Sequence, residues 1–489
     1  MAVSFPINEK FFFLVDFLCK KAYAFTDRIC HIGKVIGMET AQVRPPLFTN
    51  KALVNLTIPV IIESLLAIMA GIVDSAMVST VGEAAVSGIA LVDSINVLFI
   101  SFISAIAIGG AVVTSQYIGS RNYAKARSSA RQLLYAAFTI STVLMIALLC
   151  LRKPLLRLIY GNLDADVFTN ADTYFFYTLL GYPFFALGCS STAVLRSMGK
   201  TRSATVITVS TNLFNVFGNA VLIYGFHLGV AGAAISTTCC RILFAILGQI
   251  FAHNKELPAY FEHVLKFQLD WDVMSRVLRI GVTNGLENSL FQIGKILISS
   301  LVSSFGTVYI AANSVAFSIN NIGWSIVASF GTVLLTVVGQ CIGAGEPEQA
   351  KAYSRKFFAV ATLCVYVLFG GVFLLRHQLV KLYDFGPETM EVAAYYTGFC
   401  ALLPMLSFYA FSFLPMSVFR AAGDIRYAMT VSVVSMFAFR VASCYLLNFL
   451  FPNLGLMCVF IGMWADWVFR SILNFFHYRS GKWLKKSLI

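Results

Sequence analysis

Gln116-Tyr117-Ile118-Gly119 and Gln340-Cys341-Ile342-Gly343 are one short pattern written twice, 224 positions apart. The same offset relates Ser94-Ile95-Asn96 to Ser318-Ile319-Asn320. It also relates Arg196-Ser197-Met198-Gly199 to Arg420-Ala421-Ala422-Gly423, each followed by a further Arg (Arg202, Arg426). Chance matches between apolar segments would not hold one register over about a hundred residues, so the chain reads as a duplication. Two similar helical bundles side by side, with a cavity between them, form a layout of secondary transporters.

The segments between these motifs are apolar enough to be membrane helices. Hydrophobic residues make up 58% of the 489-residue chain and charged residues 12%, about half the charged share of a soluble domain. Twelve runs near the roughly 20 residues that cross a bilayer fall at about 52–79, 86–112, 128–150, 168–195, 203–226, 229–252, 277–305, 309–337, 354–375, 392–419, 427–449 and 455–477. The fold class expected is all-α, with twelve transmembrane helices in two six-helix bundles related by a pseudo-twofold axis. Six spans per half brings both halves in from the same side, so the axis lies along the membrane normal.

A net charge of +13 does not mark a nucleic-acid binder here, because Lys and Arg gather in short loops. Arg121, Lys125, Arg127 and Arg131 follow span 2, Lys200 and Arg202 follow span 4, Lys351, Arg355 and Lys356 follow span 8, and Arg479, Lys482, Lys485 and Lys486 close the chain. This is the positive-inside bias and predicts cytoplasmic termini. The organisation expected is an N-terminal extension over 1–46, a first lobe over 47–252, a polar cytoplasmic linker over 253–275, a second lobe over 276–478 and a basic tail over 479–489. Phe11 to Leu18 is too short, and too poorly placed against its basic residues, for a cleaved signal. The eleven cysteines contain no Cys-x-x-Cys and predict packing residues, not a metal site or disulfides.

Charges inside spans cost at least about 2.5–3.5 kcal/mol on insertion scales and call for a reason. Span 1 holds Glu63 and Asp74, whose spacing puts them within about 20° of one face and about 16 Å apart along the axis. Pro59, one turn before Glu63, is placed to bend the helix. On span 5, Thr208, Asn212, Asn215 and Asn219 lie on one stripe, spaced four, three and four apart. Such a stripe either joins helices by hydrogen bonds or, with a carboxylate, makes an oxygen-rich pocket for a hard monovalent cation or a proton.

Several motifs resemble the multidrug and toxic compound extrusion (MATE) family. They are Val73-Asp74-Ser75, Asn215-x-x-x-Asn219 before Leu222-Ile223-Tyr224-Gly225, and Leu228-Gly229-Val230-Ala231-Gly232-Ala233-Ala234. Gly339-Gln340-x-Ile342-Gly343-Ala344-Gly345 and Asp466-Trp467-x-x-Arg470 add to the likeness, which covers roughly residues 47–480. The resemblance implies a cation-driven antiporter whose ion, Na⁺ if sodium-coupled, binds at Asp74, Asn215, Asn219 and Thr237. Many archaeal-type relatives carry Asp where this chain has Asn219, which leaves Asp74 as the sole acid expected in that pocket.

In the second half, Asn284, Asn288, Gln292 and Lys295 form a polar stripe on span 7, with Glu287 beside it. Bacterial relatives with an acid on span 7 place it about a turn deeper, where this chain has Phe291. Glu287 therefore reads either as lining the cavity or as one side of an interhelical ion pair. Glu63, Asn212, Glu287, Asn288, Lys295 and Asn320 are the candidate cavity or substrate residues. Asp93 and Asn96 on span 2 line the cleft or are solvated at its outer end. Arg440 reads as an isolated cation, Asp466 and Arg470 as an i, i+4 ion pair near the inner face, and Arg196 and Arg420 as positive-inside anchors.

The expected activity is cation-coupled (Na⁺ or H⁺) export of amphipathic, cationic organic molecules by a monomer in the cell membrane. Its partners are those small molecules and the lipid bilayer, with no nucleic acid and no cofactor beyond the coupling ion. A lipid-linked saccharide flippase is the nearest rival. Intramembrane acids are read as outnumbering intramembrane bases, which argues against an anionic headgroup. No His-Glu-x-x-His or Gly-x-Ser-x-Gly motif suggests an enzyme.

Overall fold

The computed structural model describes residues 45–489 except 162–163, 263–267, 382, 384–385, 487 and 489. Apart from Pro45 and Pro46, the expected N-terminal extension lies outside the described residues. The described chain contains helices and connecting turns but no strand. In order they are α1 (Asn50–Ser79), α2 (Glu83–Gly119), α3 (Tyr123–Tyr160), α4 (Ala165–Leu180, then Tyr182–Ser197), α5 (Thr201–Gly225) and α6 (Gly229–Ala252). The second half repeats the series as α7 (Trp271–Ser303), α8 (Thr307–Gly343), α9 (Pro347–Val380), α10 (Pro387–Leu406, then Tyr409–Ala422), α11 (Ile425–Leu450) and α12 (Met457–Ser480). Eleven of these are long and apolar enough to cross a membrane when each bent pair counts as one span. The twelfth, α7, is 33 residues long and carries the polar stripe.

Local sequence explains the ends and the bends. The Thr49 hydroxyl accepts from Ala52 N at 3.2 Å and caps α1, while Asn122 does the same for α3 through Lys125 N at 3.1 Å. Asp270 caps α7 and starts it earlier than the expected linker boundary, at Trp271. Burial pulls the Asp270 carboxyl up, but Lys125 Nζ at 3.0 Å and the capped backbone amide hold it below the ordinary range. The halves of α4 bend by 46° at Gly181, where a methyl group would lie 2.6 Å from Arg241 Cδ. The halves of α10 bend by 53° just after Pro404. Pro59, expected to bend α1, lies inside an unbroken helix.

The halves are joined where α2 crosses α8. A methyl group on Gly119 would lie 2.1 Å from Gln340 O, and one on Gly343 would lie 1.9 Å from Gln116 O. Only glycine lets the two backbones approach this closely. The same motif supplies reciprocal bonds: Gln116 Nε2 donates to Ala421 O and Gln340 Nε2 donates to Ser197 O, each at 2.7 Å. A second contact, α2 against α7, is equally close, with Gly109 facing Gly281.

Each half has its own apolar core, but the first turns of α1 and α7 are exchanged. Leu53, Leu56 and Val60 of α1 pack into the core of the second half, and Val273, Met274, Val277 and Ile280 of α7 into that of the first. Toward the opposite ends these helices stand clear, with Ile72 65% and Ile296 59% exposed. Beneath the crossing, Leu488 N donates to Gln116 Oε1 at 3.3 Å, and Arg276 donates to Leu488 O at 2.5 Å. The basic tail is thus strapped over the joint between the halves.

Gly343→Leu is expected to lower the unfolding midpoint of detergent-purified protein, at a cost of about 3 kcal/mol from overpacking. Gly71→Leu, at a position with nothing within 4 Å, is expected to leave it unchanged. Equal midpoints for the two variants would refute the close crossing.

Candidate functional site

The last third of α1 faces the point where α5 changes its winding. After Asn219 the helix passes into a π-helical turn, Ala220–Gly225, a wider winding often found at functional sites. This leaves the Asn219 side chain fully buried, and its Nδ2 donates to Asp74 Oδ1. The other amide atom, Asn219 Oδ1, is buried and has no donor among the described residues. A carboxylate and a free amide oxygen therefore lie side by side.

The other residues expected in the ion pocket are engaged differently. Asn215 Nδ2 donates to Ser236 Oγ at 3.4 Å, and that hydroxyl donates back to Asn215 O at 3.0 Å. The Thr237 hydroxyl donates to Ala233 O at 3.0 Å. Asn212 is half-buried on α5. Of the four expected ligands, then, Asp74 and Asn219 touch, while Asn215 and Thr237 sit on the adjoining α5–α6 seam.

Asp74 is not the sole acid. Asp93 of α2 is a charge neighbour of Asp74 and is held by the Tyr174 phenol. Asn96 Nδ2 reaches Asp93 Oδ1 at 3.4 Å, and Tyr182 Oη donates to Asn96 Oδ1 at 2.8 Å. The guanidinium of Arg241, a charge neighbour of Asp93, donates to Thr178 O at 2.6 Å. Sequence reasoning missed Arg241, although a lone Arg well inside span 6 was itself the signal.

Glu63 and Glu287 turn out to be equivalent. They are 224 positions apart, as are Arg196 and Arg420, and the structure pairs them: Arg196 with Glu63 and Arg420 with Glu287, both at 2.5 Å. The two arginines are therefore not simple surface anchors, and Glu287 is one side of an ion pair with α10. The repeat is imperfect around them. Thr205 donates to Glu63 Oε2 at 3.0 Å, but its counterpart 224 residues on is Met429. Glu287 Oε2 is accordingly buried without a donor, as are both polar atoms of Asn284 one turn earlier.

In the rest of the second half, Asn288 is half-buried, Lys295 is exposed, and the buried Asn320 donates to Cys400 Sγ at 3.7 Å. Arg440 is not isolated: its Nε lies 3.1 Å from Asp466 Oδ2. The Asp466–Arg470 pair forms at 2.8 Å, but in the body of α12 and not near its inner end. Nor are bases the minority inside the spans. Arg196, Arg241, Lys295, Arg420, Arg440 and Arg470 stand beside Glu63, Asp74, Asp93, Glu287 and Asp466.

Removing one partner of a buried pair strands the other charge, at about 3–5 kcal/mol. Arg196→Ala is therefore expected to be markedly destabilised, and the double variant Glu63→Leu/Arg196→Met to recover most of the loss in thermal unfolding. A double variant no more stable than the single one would contradict this pairing.

Comparison with known proteins agrees with the geometry. The MatE family profile matches residues 59–221 and 285–446, one stretch in each half. The chain is 25% identical over 452 residues to a probable multidrug resistance protein NorM of Thermotoga maritima, covering 90% of this chain and 94% of that protein. It is 24% identical to the multidrug resistance protein MdtK of Yersinia pseudotuberculosis, covering 89% and 96%. An outward-facing multidrug resistance MATE family transporter of the MOP superfamily superimposes with a TM-score of 0.82 at 18% identity, covering 88% of this chain and 95% of that one. A MOP superfamily transporter from Pyrococcus furiosus Vc1 does so with 0.82 at 19% identity, covering 89% and 97%. The duplicated twelve-helix bundle is a membrane transporter, and the chain belongs to the MatE (multidrug and toxic compound extrusion) family.

Proposed function

We propose that the protein is a cation-coupled antiporter of the cell membrane, exporting amphipathic cationic organic compounds by alternating access. The observation that carries this reading is the Asp74–Asn219 contact, with its unused buried oxygen. A carboxylate and an amide oxygen suit Na⁺, and the carboxylate alone suits a proton. Asp93 enlarges the negative field on the same wall and favours cationic ligands there. The multidrug resistance proteins among the relatives point to the same substrate class.

The working units are lobes over 47–252 and 276–478, with the 253–275 segment and the 479–489 tail on the cytoplasmic side and both termini cytoplasmic. The protein works as a monomer. In the arrangement described, the Gln116–Gln340 crossing closes the cytoplasmic end. Ion binding at Asp74 drives exchange to the extent that it favours one arrangement of the first lobe over the other, since a ligand shifts an equilibrium only by its differential affinity.

Asp74→Asn is expected to abolish gradient-driven dye efflux while leaving the protein folded. Asn219→Ala is expected to raise the half-saturating cation concentration about tenfold, the worth of one charge-assisted contact. Efflux from vesicles with the Na⁺ and proton gradients collapsed in turn identifies the ion. Wild-type efflux by Asp74→Asn would remove the coupling role.

A further inference from the structure

The second half holds a charge cluster that the reading above does not use. Asp466 is fully buried on α12 and accepts from Arg470 Nε at 2.8 Å. Arg440, in the π-helical turn Ser435–Val441 of α11, faces the other carboxylate oxygen. Lys295 of α7 is exposed beside Arg440 and has no carboxylate within ion-pair distance among the described residues. All three cations converge on one ring: Lys295 Nζ lies 5.4 Å, Arg440 Cζ 5.6 Å and Arg470 Cζ 5.2 Å from the Phe291 centroid.

The cluster thus sets three cations against one acid, unlike the one-to-one pairs Glu63–Arg196 and Glu287–Arg420. Its hydrogen bonding is short of acceptors in the same sense. Arg440 Nε lacks an acceptor in hydrogen-bond geometry, and so does Trp467 Nε1, buried beneath the Arg440 guanidinium. Excess positive charge and orphan donors at this depth are costly without an anion.

The duplication shows that this cluster is not shared scaffolding. The positions 224 residues before Phe291, Lys295, Arg440, Asp466 and Arg470 are Ala67, Gly71, Val216, Ile242 and Ile246, none of them charged. Conversely, the positions 224 residues after Asp74 and Asn219 are Ile298 and Ser443. Each half has acquired its own charge on a common frame, negative in the first and positive in the second.

We infer that Lys295 and Arg440 form a subsite for the anionic group of an amphipathic organic ligand, a carboxylate or sulfonate, with its apolar body against Phe291. This rests on the transporter reading and widens its substrate class: molecules carrying an anionic group, including zwitterions, are cargo. Lys295 is the exposed, mobile donor that meets the ligand. Arg440 is the fixed one, oriented by Asp466 and the π-helical turn.

The test is equilibrium binding of 2-naphthoate and its uncharged analogue 2-naphthamide to the full-length protein in phosphatidylcholine nanodiscs. Naphthoate should bind at least about tenfold more tightly than the amide, the scale of a charge-assisted contact. Lys295→Gln should remove that preference and leave amide binding unchanged, and Lys295→Arg should retain it. Being exposed, Lys295 can be replaced without unfolding the core. Asp74→Asn should leave naphthoate binding intact. Equal binding of acid and amide, or a Lys295→Gln protein that still prefers the acid, overturns the subsite. Displacement of naphthoate by added phosphatidylglycerol would assign the anion to a lipid headgroup instead of cargo and so overturn the substrate claim. If the acid preference holds while gradient-driven efflux is absent in the wild type, the transporter reading falls and the anion site stands.

Discussion

Two glutamines that each hold a carbonyl of the opposite half set the geometry of this protein. Gln116 and Gln340 can reach Ala421 and Ser197 only because Gly119 and Gly343 let α2 and α8 touch backbone to backbone. The accepting carbonyls belong to residues next to Arg420 and Arg196, which grip Glu287 and Glu63 within their own halves. Each inner end of α4 and α10 is therefore tied in two directions, to its own lobe by charge and to the other lobe by an amide. Breaking apolar contacts between membrane helices gains no hydrophobic penalty from lipid, so polar ties of this kind decide which arrangement of the two lobes persists.

The duplication made much of this legible before any coordinates. The Gln-x-x-Gly repeat located the crossing, and the apolar runs located the helices to within a few residues. The ion pairs could also have been found there, since Glu63 and Glu287 stand at the repeat offset, as do Arg196 and Arg420. They were overlooked because each glutamate was weighed against its own helix. A helix-face argument sees neighbours three and four residues away, whereas Arg196 and Glu63 are 133 residues apart. Asp93 and Arg241 were underread for a related reason. Their meaning depends on Tyr174, Asn96 and Thr178 arriving from other helices, which no periodicity within one segment announces. The contact between Asp74 and Asn219 was expected, but the π-helical turn that orients Asn219 has no composition signature.

Where the two halves agree and where they differ separates frame from function. Glycines at the crossing, the glutamine ties and the glutamate–arginine pairs occur in both, as scaffolding should. The acids on the α1–α2 wall and the bases around Phe291 occur in one half each. A cavity with walls of opposite sign orients an amphipathic guest by its dipole, with rim charges contributing more to selectivity and capture rate than to raw affinity.

The strap made by Leu488 has a bearing on biosynthesis. Gln116 leaves the ribosome long before Gln340, and Gln340 long before Leu488, so the amide of Gln116 gains its last partner only when nearly the whole chain has emerged. Until then the first six helices sit in the bilayer with a polar notch on α2 awaiting its occupants. That interval is when a chaperone or a quality-control protease has its clearest opportunity to tell a finished molecule from a truncated one.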